Sequence, residues 1–110
     1  MTNSRQKGKR GELMAAKELE RLFGCEARRS QQYCGEAGDA DIITSIDGIH
    51  FEVKNVQRLN LHAALEQADS DKKYHDLPVL LYKKNRKKWV LACYLDDAGE
   101  ICERIIRNSK

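Results

Sequence analysis

The stretch from Gly38 to Asn55, Gly-Asp-Ala-Asp-Ile-Ile-Thr-Ser-Ile-Asp-Gly-Ile-His-Phe-Glu-Val-Lys-Asn, constrains the chain more than any other. Two apolar runs flank Asp47-Gly48, a dipeptide that tolerates the positive φ of a two-residue hairpin turn. A loop of those two residues sets Ile46 against Ile49, Thr44 against Phe51, Ile43 against Glu52 and Asp41 against Lys54. Alternation then puts Ile49, Phe51 and Val53 on one face of the second strand, with His50, Glu52 and Lys54 on the other. Asp41 falls on the Glu52/Lys54 face. It lies diagonal to Glu52, about 7–8 Å away at the backbone.

The apolar face serves a core. Two carboxylates and an ammonium on the opposite face do not serve stability, because acids at that spacing repel unless a cation lies between them. A hard divalent ion such as Mg²⁺ takes one or two carboxylates and fills its shell with water and substrate phosphate. Lys54 then has a task, holding an attacking water or neutralising charge on a phosphorane-like transition state. The plain alternative is an exposed, salt-bridged hairpin face. Glu-x-Lys alone discriminates little. The eleven-residue step from Asp41 to Glu52, the Asp-Gly turn and the Phe-Glu-Val-Lys strand together favour the metal site.

Around this hairpin the sequence allows one domain over residues 1–110, with a single core and no room for a second. No apolar run approaches a membrane span and no signal-peptide pattern opens the chain, so a soluble, intracellular protein with no membrane partner is expected. The net charge of +3 hides an asymmetry. Arg5, Lys7, Lys9 and Arg10 open the chain, and Lys83, Lys84, Arg86, Lys87 and Lys88 follow later, which leaves the remainder acidic. Clustered basic charge on an acidic body points to a polyanion patch, with a solvated arm and loop as the alternative. Cys25, Cys34, Cys93 and Cys102 lack zinc-ligand spacing and read as reduced, mostly buried small hydrophobes.

Residues 1–9 read as a flexible basic arm. From Arg10, Leu13, Ala16, Leu19, Leu22 and Phe23 recur at helical spacing, and Gly24 stops the helix. Glu12 lies at the edge of that stripe. It either complements the helix dipole or points along the core face toward the hairpin. Residues 25–30 read as a short strand whose Arg28 and Arg29 either contact phosphate or are simply solvated, and 31–38 as a loop leading into the acids. Asn60 caps a second helix with Leu61, Ala64, Leu65 and Ala68 on its apolar face; Gln67 reads as an exposed helical glutamine. Strands over 79–82, opened by Pro78, and 89–94 surround the basic loop. Asp96 caps a last helix carrying Ala98, Ile101, Cys102, Ile105 and Ile106. The order is α-β-β-β-α-β-β-α, an α/β fold with a mixed sheet of about five strands flanked by helices.

With these residues in place, the chain from about Lys7 to Leu95 resembles the PD-(D/E)XK nuclease superfamily. Within it, the chain resembles the small archaeal- and phage-type Holliday-junction resolvases. Lys9-Arg10-Gly11-Glu12 is similar to the family's helix opening, and Arg28-Arg29-Ser30 to its Arg-plus-Ser stretch. Ala40-Asp41-Ile42-Ile43 is similar to the Pro-Asp-Ile/Val motif, and Phe51-Glu52-Val53-Lys54 to Glu-x-Lys. Ala40 replaces the motif proline, so Asp39 competes with Asp41; Asp41 precedes Ile-Ile and matches the hairpin register. The resemblance implies a restriction-endonuclease-like core and Mg²⁺-dependent hydrolysis of DNA phosphodiesters, with Mn²⁺ a substitute. Asp41 and Glu52 would bind metal, Lys54 would position water, and Glu12 would support the metal or its water. DNA contacts would come from Lys7, Lys9, Arg10, Arg28, Arg29 and Ser30. The implied partners are four-way junctions and a second copy in a homodimer. A flap, nick or fork nuclease of similar core, and a non-catalytic nucleic-acid-binding protein of the same fold, are the alternatives.

Overall fold

The computed structural model describes residues 4–30 and 40–108. The elements are α1 (Ser4–Phe23), β1 (Ala27–Arg29), β2 (Ile42–Thr44), β3 (Ile49–Asn55), α2 (Leu61–Asp71), β4 (Leu77–Lys83), β5 (Val90–Ala92) and α3 (Leu95–Asn108). The expected order is therefore the observed one. The five strands form one sheet in sequence order. β3 and β4 run parallel, joined by α2 as a β-α-β crossover, and every other neighbouring pair is antiparallel.

β3 is buried along Ile49–Val53 and β4 along Pro78–Leu81, because helices cover both faces of this pair. On one face Phe51, Val53, Val79 and Leu81 pack with Ala15, Ala16 and Leu19 of α1 and Ile101 of α3. On the other, Leu80 packs with Ala64 and Leu65 of α2. The cap expected at Asn60 is present, its side chain accepting from the Ala63 amide at 3.0 Å. Gly24 ends α1 at φ 63°, its amide returning to the Glu20 carbonyl.

Several expectations are corrected. The basic arm is helical from Ser4, where good helix formers continue α1 and Asn55 Nδ2 donates to the Lys7 carbonyl at 3.1 Å. Leu13 and Leu22 lie on the exposed side of α1, and Ala15 takes their place in the core, since small residues let the helix approach the sheet. Cys25 is buried but Cys102 is exposed on α3. Finally, α3 begins at Leu95 rather than after an Asp96 cap, and Asp96 and Asp97 complement its first turn.

The hairpin register is the correction that matters most for the site. Ile42, not Thr44, lies opposite Phe51. The connection spans residues 45–48, and positive φ is found at Gly48 alone. Ile46 turns into the core at 3% exposure while Thr44 Oγ1 accepts its amide. Ser45 Oγ accepts the Glu26 amide. Burying Ile46 outweighs extending the ladder. The slip is two residues, so every side chain keeps its face. The shift brings Asp41, at the bend before β2, beside the Phe51–Val53 segment of β3, with its amide donating to the Phe51 carbonyl.

Candidate active site

Asp41 sits at the bend before β2, stitched to its neighbours by backbone and side chain. Its amide donates to the Phe51 carbonyl, its carbonyl accepts from the Ser30 amide at 2.9 Å, and its Oδ2 accepts from the Val53 amide at 2.9 Å. The carboxylate thus replaces a ladder bond where β2 leaves β3. This leaves Oδ1 without a protein partner among the described residues.

Glu52 is buried in the middle of β3. Its Oε1 lies 3.0 Å from Nε2 of His50, two residues back on the same face and 0% exposed. A carboxylate oxygen is an acceptor, so the partner it takes here is an Nε2–H, and the other ring nitrogen is Nδ1. That Nδ1 is buried with no partner among the described residues. One oxygen of Glu52 is held by the histidine, and Oε2 is left over.

The two acids therefore share a half-dry position, each with one oxygen anchored. The Asp41 carboxyl is pushed up to about 7, chiefly by burial, then by the Glu52 charge and more weakly by Glu12; the Val53 amide and Lys54 act in the opposite sense. Lys54 projects from the same strand face, with Nζ donating to Oε1 of Gln67 on α2 at 3.3 Å. Gln67 is exposed on α2, as its sequence reading has it, and links that helix to this lysine.

Glu12 stands beside the pair rather than within it. Its Oε1 accepts from Arg29 Nε at 2.7 Å, an ion pair between α1 and β1. Among the described residues no group of three or more His, Cys, Asp or Glu is gathered to hold a metal ion. The expected third acid is drawn away by the arginine that was expected to contact phosphate. Arg28, opposite Ile43, is exposed on the other face of β1. Ser30 is buried, and its amide holds Asp41. Lys7 is half-buried, and Lys9 and Arg10 are exposed on the opening turns of α1. Asp39 lies outside the described residues.

The donor set at Asp41 and Glu52 fits a hard divalent cation. It offers two carboxylate oxygens, anchored by their partners' bonds and repelling one another, with Asp41 losing its charge in the absence of a counter-ion. His50 was missed in the sequence although alternation along β3 places it on the Glu52 face. No local signal in the sequence marks Gln67, whose role depends on how α2 packs.

A mixed five-stranded sheet flanked by helices, with a paired Asp and Glu where β2 and β3 part, defines a restriction-endonuclease-like nuclease fold. Among solved structures the chain is similar to Archaeoglobus fulgidus Hjc, a Holliday junction resolvase from an archaeal hyperthermophile. The TM-score is 0.54 at 20% identity, over 78% of this chain and 76% of that one. The model of the family described as "Phage putative PDDEXK endonuclease" matches residues 3–109, and the chain belongs to that family. No curated protein matches it.

Proposed function

We propose that the protein is a Mg²⁺-dependent endonuclease acting on branched DNA, resolving four-way junctions by paired nicks as a homodimer. The observation that carries the reading is the meeting of Asp41 and Glu52 on the Lys54 face of β3, each with one oxygen anchored and one spare. Membership of an endonuclease family and a fold shared with a resolvase support it.

Asp41 Oδ1 and Glu52 Oε2 would hold the ion, which when bound polarises a phosphoryl oxygen and lowers the pKa of a bound water. His50 keeps the Glu52 carboxylate in one orientation. The Val53 amide does the same for Asp41. The Lys54 ammonium, steadied by Gln67, orients the attacking water and offsets charge that builds on the phosphate. Glu12 and Arg29 form a fixed charge pair that closes the α1 side of the centre.

The test is a gel assay with a synthetic four-way junction, a flap and a linear duplex in Mg²⁺, alongside Lys54→Ala. Paired symmetric nicks in the junction alone, absent from the variant, support the reading. Preferred cutting of the flap replaces the resolvase assignment with a flap nuclease. Binding without cutting under Mg²⁺ and Mn²⁺ overturns the catalytic reading.

A further inference from the structure

Past the end of β3 the structure holds a cleft of about 450 Å³ that the acidic centre does not use. Lys7 and Arg10 line it from α1, Asn55 from the last position of β3, and Lys83, Asn85 and Arg86 from the end of β4 and its turn. The two basic runs, far apart in sequence, thus share one recess. No carboxylate lines it, and Lys7, Arg10, Lys83 and Arg86 form no ion pair among the described residues. Elsewhere this surface is laced with ion pairs, as on α3, where Glu100 meets both Arg104 and Arg107.

The walls are built rather than loosely solvated. Gly11 lets α1 come so close that an added Cβ would lie 2.6 Å from Asn55 Cβ. Asn55 Nδ2 donates to the Lys7 carbonyl, fixing the α1 wall to β3. The Val56 amide donates to the Lys83 carbonyl, and the Asn85 amide donates to Gln57 Oε1 at 2.7 Å, fixing the turn to the chain after β3. Arg86 has φ 64°, a left-handed conformation unfavourable for a residue with a side chain. Asn55 directly follows Lys54, with its side chain toward α1 while Lys54 faces α2. A polymer crossing the end of β3 would meet both the lysine of the centre and this cleft.

We infer that the cleft is a phosphate-binding groove for the sugar–phosphate backbone of a nucleic-acid strand leaving the acidic centre. The proposal rests on the nuclease reading for its ligand class. Cations without carboxylate partners, with Lys83 Nζ donating to the Lys84 carbonyl, suit the diester phosphate, which offers acceptors and one negative charge per nucleotide. The recess carries no carboxylate to repel a phosphate.

The experiment measures binding of a fluorescent four-way junction and a matched duplex by anisotropy, in EDTA to stop cleavage, across a salt series. Wild type is compared with Lys83→Gln/Arg86→Gly and with Lys87→Gln/Lys88→Gln, which removes the same charge from the same turn outside the cleft. Glycine suits the positive φ at position 86, so the cleft variant keeps its fold, checked by thermal melting. The slope of log K against log salt should flatten by about 2 in the cleft variant, and by less than half that in the control. Equal slopes in the two variants, or an unchanged slope in the cleft variant, would overturn the groove even if wild type cuts DNA. A cleft variant that behaves as expected in a protein that never cuts DNA would keep the groove and remove the nuclease. Absence of any binding by wild type would overturn the groove outright.

Discussion

Asp41 is held with its charge suppressed, and this has measurable consequences at the residue scale. Its folded carboxyl titrates near 7 against 3.8 for the free group, so the folded state binds the extra proton between those values. The resulting stability is full below about 4 and is lost as pH rises through about 7. In EDTA, urea melts should show a less stable protein at pH 8 than at pH 5. Asp41→Asn keeps an acceptor for the Val53 amide, removes the repulsion with Glu52, and should flatten this dependence. At pH 8 it should stabilise the metal-free protein on the order of 1–3 kcal/mol. The same substitution should lower cleavage by more than about 100-fold, the scale set by outer partners of metal sites alone. A variant that cuts at the wild-type rate would remove Asp41 from the site. Gln67→Ala takes one bond from a charged lysine, so kcat should fall about 10–100-fold with KM little changed. A fall confined to KM would place Gln67 in binding instead.

At the scale of elements, α1 packs tightly where it crosses the end of β3. A helical Gly→Ala change ordinarily stabilises by about 1 kcal/mol. At Gly11 the new methyl meets Asn55 Cβ at 2.6 Å, so Gly11→Ala should destabilise by about 1–3 kcal/mol in a denaturant melt. Gly8, with open space around it, should show the ordinary gain. The elements themselves were legible in the sequence because their signals are local: period-two alternation in β3, the Asn60 cap and the Gly24 stop. Alternation also placed Asp41, Glu52 and Lys54 on one face, and that survived a register error because the slip was even. The turn was misread because Ile46 serves the core rather than the ladder, which only tertiary packing decides. Glu12 was undecided by spacing, and its partner Arg29 comes from a different element, so the ion pair had no signature along the chain. The extent of α1 was underestimated because the bonds that hold its first turns come from Asn55 on β3.

For the whole molecule, the acidic pair makes stability depend on the medium. A divalent ion that binds only the folded state adds RT ln(1 + [L]/Kd), about 2.7 kcal/mol at a hundredfold excess over Kd. Mg²⁺ or Mn²⁺ titrated into the protein should therefore raise the melting temperature progressively, and Asp41→Asn/Glu52→Gln should abolish the rise. A rise that persists in the double variant would locate the ion elsewhere. No helix among the described residues is long and apolar enough to cross a membrane. β5 ends the sheet with Val90 and Leu91 partly exposed and one backbone edge unpaired by any other strand in the sheet. Such an edge invites a strand from another molecule, and two things oppose this: its length of three residues and the cationic turn directly before it. Charge in that position is unfavourable to edge-to-edge strand pairing. Neutralising Lys83 and Arg86 should lower colloidal solubility at low salt together with polyanion affinity, a linkage visible in light scattering of concentrated samples.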